Sequence, residues 1–233
     1  MGNIDPRTLN PEEFLNSECL LYHGAAKDFS YSHLGEYDPL DTGADASEDY
    51  GTGFYTTDSL SQAQNYSEVR TSGRLPKSVV YSFVPYQARM LDVRDKNNPY
   101  INGVLPRSFV ESWLDCLTRY VEDESRFSKL NEFLKEAITS GIHKEFLDRL
   151  REEVEGDKDI IIRGDRFEPG IFAKYKNGLI GGAFKKFMLS LGYDEMIYRE
   201  AGEGKKAENL TGYVFYNPRV VDTYEGWQKR KSD

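Results

Sequence analysis

Between Ser108 and Glu155 the apolar residues recur at helical spacing. They run Phe109, Val110, Trp113, Leu114, Leu117, Tyr120 and Val121, then Phe127, Leu130, Phe133, Leu134 and Ile138, then Phe146, Leu147, Leu150 and Val154. This is the pattern of about three amphipathic helices. The strand-like runs all lie outside it. Glu18 to His23, Phe54 to Thr57, Ser78 to Val84 and Arg89 to Val93 precede it, and Tyr193 to Arg199 and Gly212 to Val221 follow. Several of these runs are rich in β-branched and aromatic residues, which suit a pleated, half-buried surface. Strands at both ends of the chain with a helical middle predict an α+β fold rather than alternating βαβ units. The 233 residues fit one domain, 1–233, in which the helical stretch at about 97–165 is an insertion.

Local signals refine this. Ser59 is placed to cap a helix running to Val69. Gly192 is placed to end a helix over Phe184 to Leu191. Arg89 to Val93 follows Pro85 and reads as a continuation of the preceding strand past a bulge. Pro218 breaks the last run into a strand pair, and residues 35–53 read as a long acidic loop suited to a lid or a partner surface.

Composition narrows the function classes. The formal net charge is −9, and the basic residues form no long run, which argues against non-specific nucleic-acid binding. No apolar stretch approaches the roughly 18 residues that span a bilayer. The two cysteines, Cys19 and Cys116, have neither zinc spacing nor the density of a disulfide scaffold. The first 16 residues lack the apolar core of a signal peptide, so a reducing, cytoplasmic setting is expected, with delivery into another cell left open. His33 and His143 have no paired metal or triad spacing, and no GxSxG elbow is present. No metal is expected.

Three short segments bear on chemistry. The first is Leu21-Tyr22-His23-Gly24-Ala25. The second is Tyr50-Gly51-Thr52-Gly53-Phe54-Tyr55-Thr56-Thr57-Asp58, followed by Gln62-Ala63-Gln64-Asn65-Tyr66. The third is Gly212-Tyr213-Val214-Phe215-Tyr216-Asn217-Pro218. Taken singly, each has a plain structural reading. A His-Gly pair ends many strands, a lone GxG is a weak turn or phosphate signal, and a Tyr-Val-Phe-Tyr strand is most often core.

In combination and order, the three resemble the ADP-ribosyltransferase superfamily, in its poly(ADP-ribose) polymerase and diphtheria-toxin-like branch. Tyr22-His23-Gly24 is similar to that branch's first element. Gly51-Thr52-Gly53-Phe54-Tyr55, with Tyr66 eleven residues on, is similar to the second. Tyr213-Val214-Phe215-Tyr216-Asn217 is similar to the strand of the third. The resemblance implies a split antiparallel sheet with NAD as co-substrate in a cleft between two small sheets. His23 would hydrogen-bond the adenosine ribose, and the Gly24 backbone would hold the nicotinamide carboxamide at close approach. Tyr55 and Tyr66 would stack on the nicotinamide ring, with Gly53 in the same binding stretch.

The chain departs from the family at Gly212, where the branch carries a glutamate. In the family that carboxylate grips a ribose 2′-hydroxyl and stabilises the positive charge that develops beside it, an effect worth several kcal/mol. Its loss argues against polymer formation. Candidates for a replacement acid lie in the preceding loop: Glu200, Glu203 and Glu208. Glu208 stands four residues before Gly212, and Glu203 sits between Gly202 and Gly204. These two join His23 and Tyr55 as the expected catalytic set. Asp194 and Glu195 are expected to cap or to face solvent. Arg70 and Arg74 are placed to meet the NAD pyrophosphate.

The function implied is NAD-dependent mono-ADP-ribosylation of a macromolecular acceptor, protein rather than nucleic acid, by a toxin, effector or defence protein. Two alternatives stay open. One is a catalytically degenerate module that binds NAD or ADP-ribose. The other is an interaction scaffold in which the helical middle acts and the cleft is vestigial.

Overall fold

The structure is a computed structural model. It describes residues 7–8, 20–25, 53–71, 79–85, 88–94, 103–122, 148, 151–152, 160–162, 179–200 and 210–223. In chain order the elements are β1 (Arg7–Thr8), β2 (Leu21–Ala25), β3 (Phe54–Thr57), α1 (Leu60–Thr71), β4 (Val79–Pro85), β5 (Arg89–Asp92), β6 (Gly103–Leu105) and α2 (Arg107–Glu122). There follow β7 (Ile160–Ile162), α3 (Leu179–Ser190), β8 (Glu195–Arg199), β9 (Thr211–Phe215), a 3-10 turn (Pro218–Val220) and β10 (Val221–Thr223). Eight strands form one sheet in the order β1-β5-β8-β9-β3-β2-β4-β10. Its pairings are antiparallel except for β5 with β8. Strands and helices are segregated, as in the α+β class.

Side chains alternate between the two faces of each strand, and the register propagates that alternation across the sheet. One face carries Leu21, Phe54, Phe83, Met90, Ile197, Tyr213 and Phe215, which form a buried cluster with Ala88 and Val221. The other face carries Leu91, Met196, Tyr198, Val214 and Tyr216. These pack with Phe109, Val110, Trp113 and Leu117 of α2 and Phe184, Phe187 and Met188 of α3. Trp113 lies edge-on to Phe184 at 5.1 Å, a favoured aromatic geometry. The first helix of the supposed insertion is therefore part of the main core. The neck of that segment is closed by β6 and β7, which pair Gly103 with Ile162 in a separate two-stranded sheet. The second and third expected helices fall almost wholly outside the described residues; residues 148 and 151–152 are described, and they are helical.

Both expected helix ends form. The Ser59 hydroxyl accepts the Gln62 amide at 3.2 Å, capping α1. Gly192 adopts φ +80, and the Tyr193 amide returns to the Met188 carbonyl at 3.0 Å. Two strand expectations are corrected. Arg89–Asp92 does not prolong β4, because four strands separate β5 from β4 in the sheet. Nor do Asp194 and Glu195 simply cap or face solvent. The Asp194 carboxylate accepts from the Arg89 amide (3.1 Å) and the Asn217 side chain (2.8 Å), tying together the ends of β5, β8 and β9. Glu195, on the face of Ile197, is fully buried. Alternation puts every second residue of a central strand inside, whatever its charge.

Candidate functional site

The pairing thins between β2 and β3. On its β4 side β2 is paired from Leu21 to Ala25, whereas on its β3 side, among the described residues, Tyr22 pairs with Thr57 alone. One register pair thus joins two halves that the sequence suggested as separate sheets. Beyond that pair the His23 side chain bridges the strands. Its Nδ1 lies 2.6 Å from the Tyr55 carbonyl oxygen. A carbonyl can only accept, so Nδ1 carries the proton in this contact and the ring is held in a fixed orientation. The ring rests against Phe54 at 4.6 Å.

Alternation places His23 on the face of Phe54 and the Tyr55 ring on the opposite face, where it packs against the core cluster containing Val214 and Tyr216. The structure therefore joins His23 to the Tyr55 backbone, not to its ring. On the Tyr55 face α1 crosses β2 at Gly24. A Cβ there would collide with the Ala63 carbonyl and lie 2.9 Å from the Ser67 amide. Glycine at 24 is thus required by the helix overhead, independently of any ligand. Gly53 has a comparable constraint, since a Cβ would meet a Val214 methyl at 2.5 Å. Tyr66 lies three residues after Ala63, on the flank of α1, and is 42% exposed.

The same face carries Gly212, the position where the resemblance implies an acid. Gly212 pairs with Tyr198 on one side and Thr57 on the other. The Tyr198 ring occupies the space a Cβ at 212 would need. Two residues past Tyr198, Glu200 continues the ladder, its amide donating to the Leu210 carbonyl at 3.1 Å. Its side chain reaches across β9, and the Thr57 hydroxyl donates to its Oε2 at 3.2 Å. Glu200 is buried, and burial pushes its carboxyl up to about 8. The Thr57 hydrogen bond opposes that shift and the nearby Asp58 charge adds to it. Glu195 is also held well above the usual carboxylate range by burial, then by Asp194 and Asp92. It faces the other cluster, and neither of its oxygens has a hydrogen-bond partner among the described residues.

On the second face, next to the sheet end, Arg94 binds Asp92 through Nη2 at 2.7 Å and the Thr211 hydroxyl through Nη1 at 3.3 Å. The Asp58 carboxylate accepts the Thr211 amide at 3.1 Å. These contacts hold the start of β9 in place. Of the sequence candidates, His23, Gly24, Gly53, Tyr55 and Tyr66 lie on the adjoining elements β2, β3 and α1. Glu203, Glu208, Arg74, His33 and His143 lie outside the described residues, as does the side chain of Arg70. Thr57 and Tyr198 were missed by sequence reasoning. Both sit at ordinary strand positions, and only the register across β9 reveals them. Among the described residues no three His, Cys, Asp or Glu side chains gather as a metal site, and no helix is long and apolar enough to cross a membrane. No protein-family model, curated protein or solved structure matches the chain.

Proposed function

We propose that the chain is an ADP-ribosyltransferase-like domain that binds NAD at the opening between β2 and β3 and transfers ADP-ribose to a macromolecular acceptor. The observation that carries this reading is the His23 bridge. A strand that keeps one register pair with its neighbour, with an oriented imidazole beside that pair, offers a place where a ribose hydroxyl can meet the His23 ring. In this reading the two faces receive the two ends of the dinucleotide. The adenosine ribose lies on the His23 side. The nicotinamide lies on the other, against Tyr55 and Tyr66, with the Gly24 backbone at the gap.

Breaking the bond between the ribose anomeric carbon and the nicotinamide nitrogen sends the electron pair to the ring, which leaves as neutral nicotinamide. The ribose carbon then carries oxocarbenium character. An acceptor lone pair adds to it and the acceptor loses a proton. The net charge of −9 favours a protein acceptor over nucleic acid. Service as a toxin, effector or defence protein belongs to the same proposal.

The raised Glu200 carboxyl favours one alternative, a binding module, because a neutral acid stabilises no cation. The test is a thermal-denaturation titration with NAD and with ADP-ribose, beside an assay for free nicotinamide. Stabilisation by NAD follows from preferential binding to the native state. Stabilisation with release supports the transferase, and stabilisation without release supports the module. The absence of both stabilisation and release overturns the NAD reading.

A further inference from the structure

We infer that Glu200, reaching across β9 to Thr57 beside Gly212, is the acid that faces the reacting ribose. This rests on the NAD reading proposed above. Alternation along the strands decides which side chains share a face. The face that carries Tyr55 presents Tyr22 and Gly24 on β2, Tyr55 and Thr57 on β3, Gly212 and Val214 on β9, and Met196 and Tyr198 on β8. Glu200 follows Tyr198 by two residues on the same side. Among the described residues of these strands it is the carboxylate on that face. Asp58 and Glu195 project from the other one.

The geometry explains why the acid is displaced. The Tyr198 ring lies over Gly212, in the space a side chain at 212 would enter. The neighbouring strand's carboxylate instead crosses β9 and is held by Thr57, the residue directly opposite Gly212. The carboxylate thus arrives beside position 212 from one strand away. The Thr57 hydroxyl donates to Oε2 and fixes the orientation, and in the proposed complex Oε1 meets a ribose hydroxyl or the developing positive charge. The raised Glu200 carboxyl adds a consequence. The acid is largely protonated at neutral pH in the empty site, and the positive nicotinamide ring favours its ionised form. NAD binding then releases a proton. As the glycosidic bond breaks, the Glu200 carboxylate stabilises the ribosyl cation, the electron pair leaves with nicotinamide, and the acceptor's proton goes to solvent.

The experiment uses the full chain with Glu200→Gln, Glu203→Gln and Glu208→Gln. Glutamine at 200 keeps the shape and can still accept from Thr57, so the variant is expected to fold. Each protein is assayed for nicotinamide release across pH 6 to 9 and for thermal stabilisation by NAD. We expect Glu200→Gln to keep NAD stabilisation but lose about a hundred-fold or more in release. The wild-type kcat/KM should rise with pH through a limb near 8 that Glu200→Gln lacks. Glu203→Gln and Glu208→Gln should each lose far less release than Glu200→Gln. Release retained by Glu200→Gln, or lost only in one of the other two, overturns the assignment and leaves the NAD reading standing. No release and no stabilisation by wild type overturns both.

Discussion

The Thr57 hydroxyl and the Glu200 carboxylate meet at 3.2 Å, although a whole strand separates β3 from β8. The contact runs diagonally across β9, since Glu200 stands opposite Leu210 and Thr57 stands opposite Gly212. It brings the carboxylate beside a glycine that reads as a lost catalytic residue.

The first prediction concerns pH and stability. Glu200 is raised in the fold from an ordinary value of 4.5 to about 8, so the folded state holds a proton that the unfolded chain releases. Its contribution to stability is full below about 4.5 and is lost progressively as pH rises toward 8. Through that window the slope is about −1.4 kcal/mol per pH unit for one such group. Glu195 shifts in the same direction and adds to the slope. Urea denaturation at several pH values should show stability falling from pH 5 to 8. Glu200→Gln should remove one proton's worth of that fall, and an unchanged slope would contradict the buried, protonated assignment.

Gly24→Ala should destabilise the fold by about 3 kcal/mol, the upper range for overpacking. The atoms in the way are backbone of α1, at Ala63 and Ser67, and they cannot rotate aside. A denaturation midpoint within error of wild type would show that α1 does not sit on β2 as described.

Trp113 lies at the centre of the cluster between α2, α3 and the sheet, fully buried. Trp113→Ala should cost about 3–5 kcal/mol. Its indole nitrogen has no hydrogen-bond partner among the described residues, so Trp113→Phe loses packing but no polar contact. That variant should cost less than half as much, by the same denaturation measurement.

Much of the frame is legible in the sequence. The runs at Phe54 to Thr57, Ser78 to Val84 and Tyr193 to Arg199 become strands because β-branched and aromatic residues suit the pleat. Ser59 and Gly192 mark helix ends because their chemistry satisfies terminal backbone groups. What escaped is what depends on register. Arg89 to Val93 carries no mark of its distance from β4, since sheet order is set by long-range pairing. The burial of Glu195 and the reach of Glu200 follow from which strands flank them. The α1 helix shows the opposite case: it has little apolar stripe, and it packs through small residues, Ala63 and Ser67, over Gly24.

Tyr66 is exposed and sits on the flank of α1. Tyr66→Ala should leave the melting temperature close to wild type while weakening NAD about 3–10-fold, the loss of one aromatic stack. Titration calorimetry with NAD checks the second part, and undiminished affinity removes Tyr66 from the site.

The central claim is that the gap between β2 and β3, bridged by His23, is an NAD site that turns over. It is tested most directly by following nicotinamide release from NAD by the wild-type chain and by His23→Ala, with cell lysate present as a source of acceptor. The account predicts steady release by the wild type and its loss in a folded His23→Ala protein. Equal release by both proteins, or none by the wild type, would contradict it.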